Sequence, residues 1–189
     1  LYALHAPEVE CIGKGKARTR YEFGCKTSIA TTNECTKGGQ FVLGAMALPG
    51  NPYDGHSLAG QIDQVARLTG TSVARAYVDR GYRGHKIERD GLDITISHTR
   101  GITSPTVRRE MRRRSAIEPV IGHLKEDGHL ERNHLAGTEG DAINAILSAA
   151  GHNMRLLARW IKLLFALLLA IILGRQQQNP VDHQLAIAE

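Results

Sequence analysis

The chain has 189 residues, of which 42% are hydrophobic and 23% charged. That length sets one domain or little more and can bury a core without disulfide staples, and the composition excludes a collagen, a mucin-like stalk and a wholly disordered chain. Lys and Arg outnumber Asp and Glu by 24 to 19, a net charge of +5, which suits a polyanionic partner without establishing one.

Residues 1–20 are rich in Gly, Lys and turn formers and read as irregular. They hold no apolar run of the signal-peptide kind. Tyr21 to Thr32 alternates as a strand, with Tyr21, Phe23, Cys25, Thr27 and Ile29 on one face. Phe41 to Leu48 is a second apolar strand, stopped by Pro49-Gly50-Asn51-Pro52. Together the two predict an antiparallel hairpin. Asp54 reads as the N-cap of a helix carrying Leu58, Ile62, Val65 and Leu68, with Gly70 as its stop. Val73 to Asp79 is a short strand that ends in a carboxylate and meets Arg80-Gly81-Tyr82-Arg83-Gly84. Leu92 to Ser97 is another strand, and Ser104-Pro105 opens a long Arg-rich helical stretch. Thr138 to Gly174 reads as one helix or two, with Gly151 as the candidate break. This order suits an α/β layer with a mixed sheet.

The apolar run Leu163 to Leu173 lies between Lys162 and Arg175 and has eleven residues, short of the roughly 20 that a membrane span needs. It predicts a buried or partner-packed helix. Cys11, Cys25 and Cys35 are odd in number and form no CxxC pair. They suggest neither a disulfide framework nor a zinc ribbon, and they fit a reducing compartment.

Two places could carry chemistry. Asp79 closes an apolar strand, and ligands in α/β sheets gather outside the carboxyl ends of strands. A strand-end Asp that merely caps the next turn is the plainer reading. The second place is Arg108 to Lys125. Helical steps put Arg114, Glu118 and Lys125 within about 40° of one another. A carboxylate between two cations can bind a divalent metal while its neighbours hold phosphates. Pro119 would set Glu118 at a kink. The five arginines of Arg108 to Arg114 could be only a solvated face, but the apolar Ile117, Val120, Ile121 and Leu124 that follow place them beside a core. Gly13-Lys14-Gly15-Lys16 lacks nucleotide-loop spacing, and the nine His make no paired-ligand motif.

Arg114, three residues, Glu118, six residues, Lys125 resembles the signature of bacterial insertion-sequence DDE transposases. Met111 stands where that signature has Tyr. Tyr77 to Gly84 resembles the family's second-aspartate motif. Arg132-Asn133, Gly137-Thr138, Gly140 to Asn144 and Gly151 to Arg155 resemble its C-terminal stretch. The resemblance runs from Leu1 to about Trp160, and the apolar tail departs from it.

It implies an RNase H-like fold, with the first Asp on a first strand, the second on strand four and the Glu on a later helix. Asp79 and Glu118 would be catalytic and would hold Mg²⁺, two ions in all. Arg112, Arg113, Arg114, Lys125, Tyr82 and Arg83 would contact the DNA of transposon ends. Strand one should precede residue 21, yet Leu1 to Pro52 contains no Asp. The expectation is therefore a C-terminal part of a transposase that lacks its first strand, with an exposed sheet edge and no efficient strand transfer alone. Residues 1–137 would be the partial catalytic domain, 138–174 a helical segment and 175–189 a polar tail. A full-length transposase or a second copy would be its protein partner, in the bacterial cytoplasm with the nucleoid. Two other readings are a non-catalytic DNA-binding remnant and a small protein anchored to a membrane by residues 160–173.

Overall fold

The computed structural model describes residues 9–13, 20–34, 36, 38–98 and 104–176. Lys14, Lys16, Cys35 and the tail from residue 177 lie outside them.

Strand β1 (Cys11–Gly13) pairs antiparallel with β2 (Tyr21–Phe23). The alternating run from Tyr21 does not continue as one strand. Gly24, at φ +126°, ends β2, a conformation open chiefly to glycine. Tyr21 and Phe23 are left more than half exposed. Strand β3 (Lys26–Thr31) follows and forms the expected hairpin with β4 (Val42–Leu48). Helix α1 (Asp54–Thr69) begins after Tyr53, so Asp54 is its first residue and not its cap. A carboxylate in the first turn still complements the helix dipole. Gly70, at φ +67°, stops the helix by returning its N–H to the Ala66 carbonyl.

Strand β5 (Arg75–Val78) pairs in parallel with β6 (Asp93–Ile96). Helix α2 (Pro105–Arg114) and α3 (Ile117–Glu126) are separated at Ser115-Ala116. The break therefore precedes Pro119. That proline sits in the first turn of α3, where a missing N–H costs no hydrogen bond. Helix α4 (Gly137–Gln176) is continuous through Gly151. One glycine costs about 1 kcal/mol in a helix and need not break it.

The described strands form three two-stranded sheets and not one mixed sheet. Helix α1 links two of them. One flank lies on the hairpin, where Gln64 Nε2 donates to the Ala45 carbonyl at 3.0 Å. A Cβ on Gly44 would fall 2.3 Å from the Gln61 side-chain amide, so a larger residue would have to displace the Gln61 and Gln64 side chains. The other flank places Leu58 and Ile62 against Val78. A second core joins β4, α3 and α4 through Val42, Ala45, Val120, Leu124, Ala145 and Ala149. Asn153 of α4 pairs its side-chain amide with both backbone groups of Val42, at 2.9 and 2.8 Å. It satisfies backbone groups that a neighbouring strand would otherwise occupy.

The packing of α4 ends near Trp160, whose ring meets Phe41 edge-on at 5.2 Å. Beyond it, every residue from Leu163 to Leu173 is exposed. The expected burial of this run does not occur within the described residues, because no other element reaches it.

Candidate active site between two half-sheets

One cavity of about 1880 Å³ lies between β3 and β5. Both strands line it, yet neither pairs with the other. Leu58, Gln61, Ile62 and Val65 of α1 form one wall, and Glu118, Ile121 and Lys125 of α3 form another. Small-ligand pockets run to about 300–1,000 Å³, so this space exceeds what one small molecule fills. Two of its lining atoms, Gln61 Oε1 and Arg114 Nε, are buried without a hydrogen-bond partner. Such atoms are uncommon in finished interiors.

Asp79 stands at the carboxyl end of β5. Its Oδ1 accepts from the Ser97 hydroxyl at 2.8 Å and from the Arg80 N–H at 2.8 Å. Those two bonds, with the charge of Arg114 nearby, hold its carboxyl below the ordinary range. Ser97 is buried, and its N–H extends the β5–β6 ladder to the Val78 carbonyl. Asp79 also caps the single 3₁₀ turn Arg80–Tyr82. Gly81 in that turn lies against Asp54: a Cβ there would sit 2.4 Å from its Oδ2. Asp54 itself pairs with Lys26 at 2.5 Å. Tyr82 packs beside the Leu58–Val78 cluster, and burial pushes its phenol upward.

Glu118 is the second residue of α3 and exposed. Arg114, at the end of α2, and Lys125 face the same cavity as Asp79, Glu118 and Tyr82. Five of the expected site residues are thus brought together. The other three are not among the residues lining that space: Arg112 and Arg83 are exposed, and Arg113 lines a different pocket across α3. Successive residues on a helix diverge by 100°, so Arg113 and Arg114 cannot share a side.

Several contributors escape sequence reasoning. Ser97 reads only as the end of a strand. Glu110 reads as one more charge in the Arg run, yet it accepts from the Tyr77 hydroxyl and pairs with Arg75 at 3.2 Å. Its own carbonyl accepts from Asn33 at 3.0 Å, so α2 tethers both half-sheets. At the far wall Asn133 donates to Asp141 at 2.7 Å. Cys25 nearby has its thiol pushed up by burial and by Asp141.

Residues 75–158 match the family described as the transposase DDE domain. This segment belongs to that family. It runs from β5 into α4 and therefore contains Asp79, Arg114, Glu118 and Lys125. No curated protein and no solved structure matches the chain. Among the described residues, no three His, Cys, Asp or Glu side chains gather as a metal site. What the DDE segment does offer is four carboxylates on one cavity, those of Asp79, Glu118, Glu131 and Asp141.

Proposed function

We propose that the chain is part of a transposase catalytic domain, RNase H-like in plan, which cuts and joins DNA at insertion-sequence ends. One observation carries this reading. Asp79, Arg114, Glu118 and Lys125 come from three separate elements and converge on one cavity within the DDE segment. In this plan residues 1–137 are the partial catalytic domain and 138–174 its helical extension. The space between β3 and β5 is the position of a central strand. The unpaired edges of both strands and the unpartnered Gln61 Oε1 support that assignment.

The donor chemistry suits Mg²⁺, a hard cation that takes one or two carboxylates and completes its shell with waters and phosphate oxygens. Asp79 and Glu118 would hold it. The bound cation would supply Lewis-acid activation of the attacking and leaving oxygens. Ser97 and the Arg80 N–H keep Asp79 ionised and aimed. Arg114 and Lys125 would neutralise backbone phosphates, as contacts that position DNA without reading its sequence. No Asp precedes residue 54, and within these 189 residues the reading assigns two of the family's three acids, Asp79 and Glu118. The chain would act in the bacterial cytoplasm, on nucleoid DNA.

The test is equilibrium binding of duplex DNA across a salt series, with Mg²⁺-dependent cleavage followed in parallel. Binding that weakens steeply with salt, and less steeply in Arg114→Gln, is expected. No DNA binding would overturn the reading. Mg²⁺-dependent cleavage that is unchanged in Asp79→Ala would overturn the role given to Asp79.

A further inference from the structure

Helix α4 presents its residues to two sides. Ala145, Ala149, His152 and Leu156, at steps of four, three and four, are buried against the body. Two residues earlier, about 200° round the helix, the same steps run through Ile143, Leu147, Ala150, Met154, Leu157 and Ile161 and continue to Ile171. All nine positions of this second stripe are apolar and exposed, and its eight large side chains are each at least 42% exposed. Among the described residues, no element covers them. Steps of three and four over about four heptads are the pattern of a coiled-coil seam. A strict seven-residue repeat drifts by about 20° per heptad on a straight helix, and a second helix follows it by wrapping round. At 1.5 Å per residue the stripe is about 42 Å long.

We infer that α4 pairs along this stripe with the α4 of a second copy of this chain. Charge agrees with that occupant. Residues 143–173 include three charged side chains, Arg155, Arg159 and Lys162, and none lies on the stripe. The positions that would flank it across a coiled coil are uncharged throughout, as at Ile146, Asn153 and Ala158. Two copies of a chain with net charge +5 can so meet without opposing like charges. A membrane fits less well. From Ala145 to Leu156 the other side of the helix is packed on the body, so lipid cannot enclose it. The run exposed on all sides, Leu163 to Leu173, is about 16 Å long, about half of a bilayer's hydrocarbon core. The pairing holds whether or not the chain acts on DNA.

The experiment is analytical ultracentrifugation of the full chain at graded concentrations. The wild type should pass from monomer to dimer as its concentration rises. Leu157→Glu and Ile161→Glu each place a carboxylate in the seam from an exposed position, and each should weaken the dimer about tenfold or more. Leu163→Glu and Leu169→Glu make the same change on exposed residues off the stripe. They should leave dimer affinity within about twofold. Thermal melts check that the variants fold, and Ile161, the more exposed of the seam pair, carries the test if Leu157→Glu lowers the melt. A wild type that stays monomeric at every soluble concentration would overturn the inference. So would an equal loss from seam and off-seam variants, which would mean unspecific adhesion of apolar surface. Uptake into phosphatidylglycerol vesicles that dissolves the dimer would assign the segment to a membrane and overturn it as well.

Discussion

Ser97 donates its hydroxyl to Asp79 at 2.8 Å, so the acid that ends β5 is set by the residue that ends β6. The parallel pairing of the two strands places them level, since Val78 lies opposite Ile96. A carboxyl held low in the folded chain adds stability above its unfolded pKa of about 3.9. That contribution is lost as the pH falls through the folded value. Ser97→Ala should therefore raise the Asp79 pKa toward the ordinary range. It should cost about 1 kcal/mol at neutral pH, given the exposure of the acid. The cost should shrink below about pH 4. Carboxyl titration by NMR and urea denaturation at pH 7 and pH 3 check this. A variant with an unchanged Asp79 titration would contradict it.

Tyr77 and Glu110 make the corresponding link between β5 and α2. Burial, then the hydrogen bond and charge of Glu110, push the Tyr77 phenol up to about 12. The protonated phenol is the form the fold selects. Its contribution is complete below the unfolded pKa of about 10 and is lost as the pH rises toward 12. Tyr77→Phe should cost about 1–2 kcal/mol at pH 7. Arg75 still pairs with Glu110 and limits the loss. The gap between wild type and variant should close between pH 10 and 12, which denaturation at several alkaline pH values would reveal. A gap independent of pH would remove Glu110 from the account.

Much of this arrangement is legible in the amino-acid sequence. The β3–β4 hairpin, α1, the β5 strand leading to Asp79 and the placing of Glu118 and Lys125 on one helix follow from periodicity and turn residues, whereas Arg114 closes the helix before it. What resists reading is longer-range. Alternation from Tyr21 to Thr32 suggests one strand, but a single glycine with positive φ divides it. Pro119 attracts the helix break, although the first turn of a helix tolerates proline. Glu110 is lost among arginines because its partners, Tyr77, Arg75 and Asn33, are more than thirty residues away. The separation of the sheet into pairs cannot be seen in local pattern at all, because each strand meets its own preferences with or without a central neighbour.

The division of the arginines by α3 gives a quantitative expectation for duplex DNA. Arg114 and Lys125 line the carboxylate cavity, whereas Arg112 is exposed elsewhere. Replacing Arg114 or Lys125 by Gln should lower affinity and reduce the slope of log affinity against log salt by about 1 each. Arg112→Gln should change the slope by well under half of that. Filter binding or anisotropy from low to moderate salt distinguishes them. Equal slopes for all three variants would mean that the run acts as an undivided basic face.

The exposed end of α4 makes its own prediction. Leu163 to Leu173 is apolar on all sides of the helix and exposed along its whole length. Helices of that kind are normally enclosed, and an exposed apolar surface of this extent promotes association. The last aromatic contact to the body is Trp160 with Phe41. A chain ended after Lys162 keeps that contact and, among the described residues, loses only exposed ones. Its melting temperature should match the full chain within a degree or two, since removing side chains that bury nothing costs little. Its soluble concentration should rise several-fold, and its sedimentation should lose any concentration dependence. Centrifugation at graded concentrations and a thermal melt are sufficient. A large drop in melting temperature would show that the segment packs on the body after all.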